Sequence, residues 1–113
     1  MIYESEWLIF VGMIVYSVTV SVELSEVDRW LDWMQAIHIP AVIQTGFFTS
    51  YRVCVLLEPI SETESKTFNI QYTAENKENY LAYLAGPAPG LQKEHLDHFP
   101  KGVYVFRTLL ETI

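Results

Sequence analysis

The chain has 113 residues, 50% of them apolar and 19% charged, with 14 Asp and Glu against 7 Lys and Arg. That length makes one domain with a single core that needs neither metal nor disulfide to fold, and the composition is globular rather than disordered. A formal charge of −7 disfavours a phosphate-binding surface, because nucleic-acid binders present clustered basic residues and the seven Lys and Arg here are scattered.

Cys54 is the one cysteine and sits in an alternating apolar stretch, so no internal disulfide forms and a reduced, cytoplasmic setting is expected. Residues 7–22 are largely apolar but too short to cross a bilayer, and Ser17, Thr19 and Ser21 interrupt them at alternate positions. Glu4 and Glu6 stand where a secretory signal carries positive charge, so neither a leader nor a membrane span is expected. Met13-Ile14-Val15-Tyr16 reads as a natural start. Residues 1–12 are therefore taken as an N-terminal extension or a misplaced start, and 13–113 as the single domain.

Ile14, Tyr16, Val18, Val20 and Val22 alternate with Val15, Ser17, Thr19 and Ser21, the period of a strand with one apolar face. Ser25, with Asp28 three residues on, approximates a helix-starting capping box. Val27, Trp30, Leu31, Met34, Ile37 and His38 then recur at helical spacing along one face. Pro40 disfavours helical geometry at Ile39, so a bend or a fresh helical turn is expected there, and Thr45-Gly46 ends the helix. Residues 47–57 are aromatic and β-branched at both phases, which predicts a strand buried on both sides.

Residues 58–65 are a polar connector, and 66–74 alternate Phe68, Ile70 and Tyr72 with polar residues, predicting a half-buried strand. Asn76 caps a second helix, Gly86-Pro87-Ala88-Pro89-Gly90 interrupts it, and a shorter helical piece resumes over 91–99. Pro100-Lys101-Gly102 turns the chain into a last strand over 103–110. The order β-α-β-β-α-β is the ferredoxin-like pattern, an α+β fold with a four-stranded antiparallel sheet and helices on one face. Its bare face would carry Val15, Ser17, Thr19, Thr67, Asn69, Gln71 and part of the 47–57 strand. That strand is too apolar for water, so a homodimer through the open sheet face is expected.

Candidate chemistry falls on few residues. His38, at the end of the first helix, serves either as a proton carrier favoured by the helix dipole or as a C-terminal cap. His95 and His98 lie three apart on the second helix; no third ligand has suitable spacing, so no metal is expected, and His98 is read as solvated. Arg107 alternates with Val103, Val105 and Leu109, which leaves it either a structural ion pair or an anionic ligand. Arg52 invites the same question and is read as structural. Trp30, Trp33, Tyr72, Tyr80 and Phe106 either pack the core or line a pocket for a flat hydrophobic molecule. Cys54 is expected to be inert packing, and no nucleophile elbow or phosphate loop occurs.

Trp30-Leu31-Asp32-Trp33-Met34, His38-Ile39-Pro40, Thr45-Gly46-Phe47, Leu91-Gln92-Lys93-Glu94-His95-Leu96, His98-Phe99 and Phe106-Arg107-Thr108-Leu109 together resemble an uncharacterised bacterial family. The family carries a domain-of-unknown-function label, number 4286, within the dimeric α/β-barrel superfamily. The resemblance covers residues 13–113 and departs in the first twelve residues and in the glycine-rich 86–90 stretch. It implies a fold and a dimer and brings no activity, because its superfamily holds cofactor-independent monooxygenases, haem-degrading enzymes, isomerases and ligand sensors alike.

The expectation from sequence is a cofactor-free small-molecule-binding or structural dimer. An alternative is a monooxygenase or isomerase using His38 or His95 as base and Arg107 as anion holder. A regulatory protein-interaction module with an acidic surface is the third reading.

Overall fold

The computed structural model describes residues 12–59 and 63–113. The expected extension over 1–11 and the middle of the connector, 60–62, lie outside the described residues. Four strands form one antiparallel sheet in the order β2-β3-β1-β4: β1 Ile14–Glu23, β2 Ser50–Val55, β3 Ser65–Ala74 and β4 Val103–Glu111. The helical crossings are α1 Val27–Trp33, α2 Ile39–Gln44, α3 Lys77–Ala85 and α4 Ala88–His98. This is the ferredoxin-like arrangement. No helix among the described residues is long and apolar enough to cross a membrane.

Alternation in β1 and β3 sends Ile14, Tyr16, Val20, Val22, Phe68, Ile70, Tyr72 and Ala74 into the core beneath the helices. Trp30, Met34, Ile39, Val42, Tyr83, Ala88 and Phe99 come down on them from the helical layer. Trp30 is 0% exposed, and truncating so large a buried ring costs on the order of 3–5 kcal/mol.

The first crossing is continuous from Val27 to Gln44 because a π-helical segment, Met34–His38, joins α1 to α2. Pro40 has no N–H to give the Ala36 carbonyl, and its ring would press on that carbonyl in a regular helix. The wider turn removes the clash, with Ile39 N–H reaching back to Met34 O. Of the two expected outcomes at Pro40, a fresh helical turn is the one found, with Ile39 itself helical. The added residue per turn rotates Ile37 outward, where it is 49% exposed rather than on the core face. His38 consequently lies mid-crossing and not at a helix end, so the expected C-cap and its dipole do not apply. Gly46, at φ 83°, ends α2 as expected.

Other expectations are corrected. Ser25 makes no cap: a 3₁₀ turn over Leu24–Glu26 leads into α1 with no side-chain cap bond. β2 is a short edge strand, exposed along nearly its whole length rather than buried on both sides, because Phe48 enters the core just before the strand begins. α4 begins at Ala88 and is longer than α3, since Pro87 and Pro89 fall in a first turn whose N–H groups need no helical partner. Asn76 does cap α3, its Oδ1 accepting from Asn79 N–H at 2.8 Å.

The open sheet face differs from expectation in where its apolar groups lie. Register places Arg52 and Cys54 of β2 beside Gln71 and Asn69 on that face, whereas Tyr104, Phe106 and Leu110 of β4 stand next to Ser21, Thr19 and Val15. The greasy groups in water are therefore on β4, with Tyr104 68% and Phe106 66% exposed.

Candidate functional site

β1, β3, β4 and the helical layer enclose a small cavity of about 30 Å³, room for a water-sized group. Val18, Val20, Met34, Val42 and Ile70 make its apolar floor, and Tyr16, Tyr72, Tyr83, His38, His95 and Arg107 bring polar groups to it. A wider groove of about 650 Å³ runs outside it between α4 and β4, past Leu96, Val103 and Tyr104. Gln92, His95, Val105 and Arg107 line both spaces and so form the neck between them.

His95 arrives from α4 and His38 from the π-helical segment, their ring centroids 5.6 Å apart. Trp30 donates its indole N–H to His95 Nε2 at 3.0 Å. Nε2 must therefore carry the lone pair, which leaves the His95 proton on Nδ1. His38 is bound differently: its Nδ1 is buried without a hydrogen-bond partner among the described residues. The indole N–H of Trp33, whose ring stacks on His38 at 5.3 Å, is the other such buried atom.

Burial lowers the His38 pKa to about 4, helped by the charges of His95 and Arg107. Burial likewise lowers His95 to about 4, with Arg107 and His98 adding to it. Both imidazoles are neutral at pH 7, each with one donor and one acceptor nitrogen. Burial raises Tyr72 and Tyr83 well above the usual phenol range, so their hydroxyls stay protonated. Arg107, exposed at the neck, makes no ion pair or hydrogen bond with a described residue. Lys93 of the groove is held instead by Asp97 at 2.6 Å. A cation beside two neutral imidazoles can hold an anionic oxygen.

Among the sequence candidates, His38, His95, Arg107 and Tyr72 converge on the cavity. Trp30 is core and acts on His95 alone. Trp33 backs His38 and stacks on exposed His98 at 4.6 Å without lining the cavity. Tyr80 lies 5.4 Å from Tyr16, one ring behind the wall. Phe106 is misplaced by the sequence reading: it pairs in register with Thr19 and faces the open side of the sheet. Tyr16, Tyr83 and Gln92 were not singled out, although Tyr16 shares the inward phase of β1 with Val18 and Val20. Arg52 is structural, donating to Gln71 Oε1 at 2.8 Å, and Cys54 is exposed rather than packed. No group of side chains suited to a metal occurs among the described residues.

No curated protein matches the sequence significantly. Among solved structures, an ethyl tert-butyl ether d (EthD) family protein from Bacillus halodurans is similar at TM-score 0.61 and 10% identity, over 84% of this chain and 96% of that one. A dimeric ferredoxin-like protein from an uncultured marine organism is similar at 0.57 and 8%, over 90% and 97%. The hydroxynitrile lyase from Passiflora edulis is similar at 0.56 and 17%, over 86% and 93%. At these identities the likeness is one of fold. In sequence, residues 13–113 match one family over nearly the whole chain, and the protein belongs to that family, described as a domain of unknown function (DUF4286).

Proposed function

We propose that this chain is a homodimeric small-molecule-binding protein of the dimeric α/β-barrel type, its site the cavity and groove joined at Arg107. The observation that carries the reading is the convergence of His38, His95 and an unpaired Arg107 on one cavity of a chain whose formal charge is −7. A buried imidazole nitrogen with no partner among the described residues lacks what a purely structural role supplies.

The dimer rests on the open face. Tyr104, Phe106 and Leu110 form an apolar row there. Several polar groups of the same face are already bonded within one copy. Asn69 donates to Ser17 Oγ at 2.9 Å and to Thr19 Oγ1 at 3.0 Å, and Arg52 is held by Gln71. Covering that face therefore removes apolar surface from water and strands few polar atoms. A neighbour of the same fold is described as dimeric, which supports a dimer.

The test is a fragment screen followed in protein-observed NMR spectra of the intact chain. Binders should shift the resonances of His38, Gln92, His95 and Arg107 before any others. A library of acids, phenols and neutral aromatics that leaves those resonances unmoved at millimolar concentration would refute the reading.

A further inference from the structure

We infer that the outer edge of β4 is a docking surface for a second copy of this chain: two β4 strands pair antiparallel about Leu109, with each Arg107 opposite the partner's Glu111. This stands apart from the small-molecule reading of the cleft, since it uses the backbone edge of the strand and not the cavity.

The edge is ready to accept a strand. β4 ends the sheet order β2-β3-β1-β4, and no described strand pairs with its far side. Its register with β1 is unbroken from Val22–Val103 to Ile14–Glu111. At the two ends, Gly102 O accepts from Glu23 N–H at 2.8 Å, and Thr112 N–H donates to Met13 O at 2.9 Å. Backbone groups alternate sides along an antiparallel strand, so the even-numbered residues bond β1. Val103, Val105, Arg107, Leu109 and Glu111 therefore aim their N–H and C=O groups outward. Natural edges are blunted by lysine, proline or a bulge. Val103–Glu111 has none of these, and Leu109 and Leu110 are 38% and 52% exposed on its two faces.

Charge selects both the partner and the register. Arg107 and Glu111 are the charged residues of β4; both are exposed, and neither makes an ion pair with a described residue. Lys77 borders the same shallow hollow as Glu111 without pairing with it. A twofold axis perpendicular to the sheet keeps like faces together and sets outward groups opposite outward groups. Centred on Arg107, it opposes two guanidiniums. Centred on Phe106 or Thr108, it sets Arg107 against the partner's Val105 or the partner's Leu109. Centred on Leu109, it sets Arg107 directly opposite the partner's Glu111, twice over, on the helix-bearing face. β2, the other edge, contains no acidic residue and offers no such register.

The seam lies in the plane of the sheet and leaves the open face free, so it joins one face-to-face dimer to the next. Exposed ion pairs contribute little each, which makes the seam the weaker contact, formed above the concentrations that make the dimer. Below those concentrations Arg107 keeps no protein partner, and the neck of the cleft stays as described.

Sedimentation equilibrium of the intact protein from micromolar to millimolar concentration tests the seam. The average mass should rise beyond that of the dimer. Arg107→Glu and Glu111→Arg each set like charges opposite one another and should weaken this step about tenfold, whereas the double variant restores opposite charges and should recover most of it. Leu109→Pro removes the central outward N–H, spares the ladder to β1 and should abolish the step, with circular dichroism confirming the fold. With the open face disabled by Phe106→Glu, the same step should run from monomer to dimer at the higher concentrations.

Amide hydrogen exchange supplies a readout without variants. Arg107, Leu109 and Glu111 should gain protection as concentration rises, while Phe106 and Thr108, already bonded to β1, do not change. A mass constant up to millimolar concentration would overturn the inference. So would association that the single charge variants leave unmoved, or that the double variant fails to recover.

Discussion

Acidification from pH 7 to pH 5 forces protons onto two imidazoles that the fold holds neutral. His38 and His95 have folded pKa values of about 4 against 6.5 for an unperturbed histidine. Their folded pKa is depressed, so the unfolded state binds more protons between those values. Stability is thus full above pH 6.5 and falls as pH drops from 6.5 toward 4. With those two values, linkage gives a loss of about 1.8 kcal/mol per histidine between pH 7 and pH 5. The rings border a cavity that opens past exposed Arg107, so solvent reaches them in part. Halving the figure leaves roughly 2 kcal/mol for the pair.

For a domain of this size, that loss lowers the urea midpoint by about 1–1.5 M. Tryptophan fluorescence in urea at pH 7, 6 and 5 measures it directly. The double variant His38→Gln, His95→Gln should be less stable at pH 7 and nearly flat across the same range. A wild-type midpoint constant within about 0.2 M, or an equal fall in the double variant, would refute the buried neutral pair.

Four further outcomes follow from the geometry. Trp30→Phe deprives His95 Nε2 of its donor and should cost about 1–3 kcal/mol in urea, more than the lost ring volume alone. Phe106→Glu should convert dimer to monomer in analytical ultracentrifugation while far-UV circular dichroism stays unchanged; a variant still dimeric would move the interface elsewhere. Asn76→Ala removes the cap of α3 and should cost about 1 kcal/mol by the same denaturation assay. Gly46→Ala forces an alanine into the left-handed region and should cost roughly 1 kcal/mol, although nothing crowds its side chain.

Much of the fold was legible in the chain. Strict alternation in β1 and β3 fixed which residues face the helices, and the Asn76 cap and the Gly46 stop have local causes. Legibility failed where an element's fate depends on its neighbours. Residues 47–57 look doubly buried, yet β2 is an edge strand that the helices leave uncovered. Phe106 and Arg107 are adjacent on β4, and the sequence offered each as a site residue, although a strand must send them to opposite faces. His38 looked like a helix terminus because Pro40 follows it; the π-helical turn carries the crossing through the proline and aims the imidazole into the interior.

The sequence by itself determined the ferredoxin-like order of elements and the inward rows of the central strands, because hydrophobic period and turn chemistry act over a few neighbouring residues. Tertiary structure alone decided the chemistry of the cleft. Trp30 and His95 are 65 positions apart and meet only once α1 and α4 pack on one sheet. The same packing brings Arg107 beside two histidines from different helices, and their protonation follows from burial and a neighbouring cation rather than from residue type.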